Sequence, residues 1–210
     1  MQKAKKSLSQ NFLIDKNIST KILNKTSVKN KVVLEIGPGL GFLTETILEK
    51  KPKKLILVEK DYKLTEHLKE KFKNNNKIII SCEDILNYNF DKYKNLIVIS
   101  NLPYNVSSKI IFYLFIFNKN IQEMVFMIQK EVAQKFDYNL PKMNKYKFFT
   151  RIVSNYSRCF DVSNNVFKPI PKVTSTVVKF NFINKEIDLT KAKIFSKLIF
   201  KNIRKKISNN

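Results

Sequence analysis

The chain has only three glycines in 210 residues, and all three fall inside one five-residue run, Gly37-Pro38-Gly39-Leu40-Gly41. The run follows Val32-Val33-Leu34-Glu35-Ile36, a short apolar stretch that reads as a buried parallel strand. It precedes residues 42–50, which read as a helix. A strand, a glycine turn and a helix start form a cradle for an anionic or nucleoside ligand. Glycine is needed where the backbone adopts angles, or approaches a ligand, in ways a Cβ would block. A chain that dispenses with glycine everywhere else keeps it here.

The alternation continues downstream. Residues 55–59, 77–81, 96–101 and 124–129 read as strands, and residues 61–73 and 107–117 as helices, with Ser107 placed as an N-cap. This βαβα rhythm predicts an α/β fold with an open, doubly wound, mostly parallel sheet. Residues 174–182 alternate like a late strand, expected antiparallel at the far side of the sheet. Residues 191–207 read as a final helix with a basic end. Polar turns are expected at 74–76 and 163–165.

The formal net charge of +23 points to a nucleic-acid partner. Part of it is compositional, because the only arginines are Arg151, Arg158 and Arg204, and the wealth of Lys, Asn and Ile matches A/T-rich codons. Cys82 and Cys159 are far apart and read as reduced thiols. His67 falls in a charged helix and reads as a solvated face residue. A metal site is therefore not expected. Residues 110–117 are too short an apolar run to span a membrane. No apolar stretch with a cleavage site follows the basic first residues. A cytoplasmic protein without a membrane partner is expected.

In such sheets ligands sit at the carboxyl ends of the strands, near the switch in strand order. Glu35 lies in the first strand, Glu59 ends the second, Asp84 follows the third and Asn101 ends the fourth. Glu59 follows Gly37 at about the spacing expected of a carboxylate that accepts from ribose hydroxyls. Asp84 is placed to accept from an adenine amino group. A dinucleotide and S-adenosylmethionine both fit such a cradle. The dinucleotide fingerprint wants its third small residue where Phe42 stands, and the G-x-G-x-G form suits S-adenosylmethionine better.

Asn101-Leu102-Pro103-Tyr104 follows the fourth strand directly, and resembles the motif of methyltransferases acting on planar amino groups. An adenine N6 amine has its lone pair delocalised into the ring. It needs acceptors that fix its N–H groups and turn the lone pair toward a methyl donor. The side-chain oxygen of Asn101 and the carbonyl of Leu102 are suited to that task. Pro103 stiffens the turn. Aligned carbonyl dipoles stabilise the positive charge that grows on nitrogen. Tyr104 can stack on a base taken out of its helix.

Five ordered motifs carry a wider resemblance: residues 9–15 (Ser-Gln-Asn-Phe-Leu-Ile-Asp), 35–41, 101–105, Gln129-Lys130-Glu131-Val132, and 167–173 (Phe-Lys-Pro-Ile-Pro-Lys-Val). Together they resemble the KsgA-type small-subunit ribosomal RNA adenine dimethyltransferases, over about residues 8–208. The resemblance implies a seven-stranded Rossmann-like sheet and S-adenosylmethionine as cofactor. It implies cofactor contacts at Asn11, Leu13, Gly37, Glu59, Asp84 and Asn101, and a catalytic segment of Asn101, Leu102, Pro103 and Tyr104. It also implies that Phe167 flanks the target base opposite Tyr104. The implied reaction is dimethylation of two adjacent adenosines near the 3′ end of small-subunit (16S) rRNA, late in subunit assembly; a monomer is expected.

Three departures stand out. Leu8-Ser9 replaces the usual Phe-Gly, and Tyr146-Lys147-Phe148 stands where Tyr-Gly-Arg is expected. The sequence also ends at Asn210, where the family continues into a small helical domain. Residues 1–185 are accordingly expected to form the methyltransferase domain, and 186–210 a basic helical remnant of the RNA-binding domain. Three other readings are weighed. An Erm-like large-subunit rRNA methyltransferase usually carries Ile where Leu102 stands. A non-catalytic small-subunit assembly factor would not need the intact Asn101–Tyr104 segment. A nicotinamide-dependent dehydrogenase is opposed by Phe42.

Overall fold

The computed structural model describes residues 11–183, 187 and 189–201. A two-residue strand β1 (Phe12–Leu13) leads into α1 (Lys16–Leu23), whose N-cap Asp15 accepts from the Ile18 amide. Then come β2 (Val32–Ile36), α2 (Phe42–Glu49), β3 (Lys54–Glu59), α3 (Tyr62–Lys71), β4 (Ile78–Cys82) and β5 (Leu96–Asn101). They are followed by α4 (Ser107–Leu114), β6 (Ile121–Gln129), α5 (Lys130–Phe136), α6 (Lys145–Val153), β7 (Ser154–Val162), β8 (Phe167–Lys168), β9 (Ser175–Phe182) and α7 (Leu189–Lys201).

Seven strands form one sheet in the order β4-β3-β2-β5-β6-β9-β7. The first five are mutually parallel, and β9 runs antiparallel to both β6 and β7. The chain winds from β2 outward through β3 and β4, then returns to start the other half at β5. The switch in strand order therefore lies between β2 and β5. Ser100 Oγ donates to the Ile36 carbonyl at 2.5 Å and ties these strands together there.

Alternate strand residues feed opposite faces, as a pleated strand requires. Leu34, Ile56, Val98 and Phe126 pack under α4, α5 and α6 with Ile111, Phe136 and Phe149. Val33, Leu55, Ile97 and Val125 pack under α1, α2 and α3 with Ile22, Ile47 and Leu68. Each such fully buried side chain contributes on the order of 1.5–3 kcal/mol.

Several expectations need correction. The late strand β9 is antiparallel as expected, but β7 covers it, so β9 is interior and β7 is the edge. Ser107 is the first residue of α4 and not its cap; Val106 holds the cap position without a side-chain bond, and Ser107 Oγ donates to the Tyr104 carbonyl. Residues 163–165 lie mostly in a 3₁₀ turn, Asn164–Val166. The final helix is described to Lys201, so most of its basic end lies outside the described residues, as does the expected boundary at 185/186. His67 is exposed, and both cysteines are free. Among the described residues no helix is long and apolar enough to cross a membrane, and no cluster of His, Cys, Asp and Glu is arranged for a metal.

Candidate functional site

A cavity opens at the carboxyl ends of β2, β3, β4 and β5, on the switch in strand order. Its floor is the glycine turn. The Gly37 amide donates to the Val58 carbonyl at 2.9 Å, and the Gly41 amide to the Pro38 carbonyl at 2.9 Å. All three glycines have positive φ. At Gly39 (φ +60°) a Cβ would also lie 2.9 Å from the Phe12 ring, so β1 can lie on the turn only because the side chain is missing. A Cβ at Gly37 would meet nothing within 4 Å, which leaves the turn's open side clear for a ligand.

Glu59 ends β3 and is 6% exposed. Its carboxylate accepts from the Gly39 amide at 3.2 Å and from the Asp61 amide at 2.9 Å, so β3 and the glycine turn are joined through it. Burial pushes the Glu59 carboxyl above its usual range, and the amides of Asp61, Gly39 and Lys60 pull against that rise. Glu35 lies deeper, on β2, and accepts from Thr44 Oγ1 at 2.6 Å. Burial raises its pKa to about 8, opposed by the Thr44 hydrogen bond and reinforced by the Glu59 charge.

Asp84 caps the 3₁₀ turn after β4, accepting from the Leu86 amide at 3.0 Å and from Lys60 Nζ at 2.8 Å. Burial pushes its carboxyl up. The hydrogen bonds from Lys60 and Leu86, with the charges of Lys60 and Lys109, outweigh that and hold it below the usual aspartate range. The neighbouring Ile85 and Leu86 form, with Val58, an apolar slot beside this carboxylate.

Asn101 ends β5. Its Nδ2 donates to the Asn11 carbonyl at 2.9 Å, which fixes the amide plane and turns Oδ1 away from the N-terminal segment. The Leu102 amide donates to the Met127 carbonyl at 3.1 Å, so the turn is held from β6. Leu102 is buried, and Pro103 and Tyr104 complete the cavity wall. The Tyr104 hydroxyl shares a hydrogen bond of 2.7 Å with Ser175 Oγ. Burial raises the Tyr104 pKa, and the Ser175 bond works against the rise.

Nine of the ten residues marked out in the sequence therefore meet at one cavity: Asn11, Leu13, Gly37, Glu59, Asp84 and the four of 101–104. Phe167 does not. It is 1% exposed, and its ring belongs to the core with Leu13 and Val162. Through β8 it pairs with Leu13 of β1, so it supports the cavity wall from behind instead of flanking a base. Lys147, which stands where a glycine was expected, does not line the cavity either; its ammonium donates to the carbonyls of Leu140 (2.9 Å) and Pro141 (2.7 Å). Sequence reasoning missed Phe12, Lys60 and the Ile85–Leu86 wall. Their signal was adjacency: each lies within two residues of a position already singled out.

These residues fit S-adenosylmethionine: an open glycine turn, a carboxylate at the end of β3, and an apolar slot edged by Asp84. Fold and site together define an S-adenosylmethionine-dependent methyltransferase. The same fold is seen in M. jannaschii TYW2, solved in complex with AdoMet (TM-score 0.53, 18% identity, covering 79% of this chain and 74% of that one). The chain belongs to the ribosomal RNA adenine dimethylase family, whose model matches residues 1–210. Ribosomal RNA small subunit methyltransferase A of Mycoplasma mobile is 40% identical over 98% of this chain and 82% of its own length. A dimethyladenosine transferase from Plasmodium falciparum superimposes with a TM-score of 0.81 at 25% identity, over 93% of this chain and 73% of that one. The fold is also that of the 23S rRNA methyltransferase ErmE (TM-score 0.77, 22% identity, covering 90% and 77%). The protein is an S-adenosylmethionine-dependent rRNA adenine dimethyltransferase, and the dehydrogenase reading falls.

Proposed function

We propose that this chain dimethylates the N6 amines of two adjacent adenosines near the 3′ end of small-subunit rRNA, as a cytoplasmic monomer acting late in subunit assembly. The name carried by relatives at about 40% identity supports the small-subunit target over the large-subunit one. One observation carries the chemistry: the Asn101 amide is locked by Asn11 at the end of β5, beside the cavity that Glu59 and the glycine turn share.

S-adenosylmethionine, when bound, supplies a methyl group activated by a sulfonium. Gly37, Glu59 and Asp84 would hold it, with Asn11 and Leu13 closing from the N-terminal side. In the first transfer Asn101 Oδ1 and the Leu102 carbonyl would accept the amine's two N–H groups, and in the second its one remaining N–H, so that the lone pair faces the methyl donor; the proton lost at each transfer leaves to solvent. Both acceptors are positioned before the substrate arrives, so little reorganisation accompanies transfer. Tyr104, its hydroxyl held by Ser175, offers a ring for the displaced base to stack on.

The test is transfer of labelled methyl from S-adenosylmethionine to small subunits lacking these methyls, followed by mapping of the modified bases. Dimethyladenosine at two adjacent positions near the 3′ end is the expected result. Modification of large-subunit RNA instead would overturn the substrate assignment. Binding of subunits without transfer would favour the assembly-factor reading.

A further inference from the structure

The segment between β8 and β9 carries an exposed aliphatic tip, and its far end is bonded to the catalytic turn through Ser175 and Tyr104. Ile170 is 66% exposed and Val173 is 42% exposed, while Pro171 between them is buried. The segment is held at both ends and in the middle. At one end Lys168 pairs with Phe12 of the cavity wall. At the other, the Thr174 carbonyl accepts from the Lys130 amide at 3.0 Å, and Ser175 bonds the Tyr104 hydroxyl. In the middle, Asn164 Nδ2 donates to the Pro171 carbonyl at 3.1 Å. Two prolines flank Ile170 and restrict the backbone on either side of it. Lys168 and Lys172 stand exposed next to them.

Ile170 and Val173 form an exposed aliphatic pair on a stiff, pinned segment, with Lys168 and Lys172 exposed on either side. One end of this segment pairs with Phe12 and the other bonds Tyr104, two residues that line the cavity where an adenine must leave its neighbours to meet Asn101. Removing a base from a stack leaves a gap, and the apolar side chains of nucleic-acid-bending proteins fill such gaps. The paired lysines are suited to the phosphates on either side.

We propose that Ile170 is a wedge that enters the rRNA base stack vacated by the target adenosine, an inference that rests on the rRNA-methylating reading above. Filling the gap stabilises the extruded base and lowers the cost of presenting its amine to Asn101. Lys168 and Lys172 hold the neighbouring phosphates so that Ile170 sits at the step being opened.

The experiment compares wild type with Ile170→Ser and Ile170→Met on three readouts. The first is S-adenosylmethionine affinity. The second is kcat/KM on unmethylated small subunits and on a naked rRNA fragment containing the target. The third is emission of 2-aminopurine placed at a target position in that fragment, which rises when the base is unstacked. The expected result is unchanged cofactor affinity in both variants, with kcat/KM about tenfold lower for Ile170→Ser on both RNAs, the loss of one filled base step. The emission rise should be largely lost in Ile170→Ser and retained in Ile170→Met. Wild-type kinetics and emission in Ile170→Ser would overturn the wedge. A loss seen with whole subunits and not with the naked fragment would also overturn it, and would assign Ile170 to a ribosomal-protein contact. If wild type itself methylates neither RNA, the functional reading fails and the wedge falls with it.

Discussion

Replacing Glu35 by glutamine should change how the stability of this protein depends on pH. Glu35 is 2% exposed, and burial lifts its pKa from 4.5 to about 8. The native protein therefore keeps the proton across a range in which the unfolded chain has lost it. Stability falls with rising pH wherever the native state binds more protons than the unfolded state. The contribution is complete below pH 4.5 and is lost as pH rises toward 8. Each pH unit inside that window costs about 1.4 kcal/mol, so the interval from about pH 5 to 7.5 is worth about 3 kcal/mol. A glutamine side chain has nearly the same shape, can still accept from Thr44, and does not titrate. The difference in unfolding free energy, wild type minus Glu35→Gln, should thus drop by about 3 kcal/mol over that interval. For a chain of this size that is a change of roughly 6–12 °C in the difference between the two melting temperatures. Parallel denaturant or thermal melts of both proteins without cofactor measure it, and the subtraction removes the titrating groups that do not interact with Glu35. A difference that stays flat across the interval would mean that Glu35 is already ionised in the native state, and would refute the reasoning.

Three further outcomes are expected. Gly39→Ala places a methyl 2.9 Å from the Phe12 ring at a φ of +60°, so it should lower stability by about 1–2 kcal/mol and weaken cofactor binding as β1 is pushed off the turn, both measurable by melts with and without cofactor. Glu59→Ala should weaken S-adenosylmethionine binding at least roughly tenfold by calorimetry, since it removes the ribose acceptor and the group that joins Gly39 to Asp61; unchanged affinity would undo the ribose assignment. Tyr104→Phe and Ser175→Ala break one hydrogen bond from its two sides, so each should lower kcat about equally and the double variant no further, with about 1 kcal/mol of coupling in the cycle; additive losses would separate the two residues.

The part of the sheet built from β2, β3, β5 and β6 was legible because these strands are almost wholly buried and read as apolar runs, and the edge strand β4 was legible as the run Ile78-Ile79-Ile80. The glycine turn was legible for a different reason, as the only place where the chain relaxes its avoidance of glycine. The opposite edge was not. Strand β7 reads Ser-Asn-Tyr-Ser-Arg-Cys-Phe-Asp-Val, half polar, and its register slips between Arg158 and Phe160, so the period of two is broken where the pattern would have declared it. Helix α5 escaped because its start was read as a family motif, and α1 and α6 were not read at all, although Asp15 and Asn144 cap them in the ordinary way. The site was legible wherever a residue's role follows from its place at a strand end, as with Glu59, Asp84 and Asn101. Phe167 shows the opposite case. Its motif says nothing about which way the ring points, and pairing with β1 turns it into the core.

The β1–β8 ribbon has a consequence for how the protein comes into being. Phe12 rests on the glycine turn, yet its strand partner is Lys168, 156 residues further along the chain. The first wall of the cavity is made early in translation but has nothing to pair with until Lys168 has emerged. A ligand stabilises only the state that binds it. The cofactor therefore cannot rescue a growing or prematurely ended chain, and its stabilising effect falls almost entirely on molecules whose translation has passed β8.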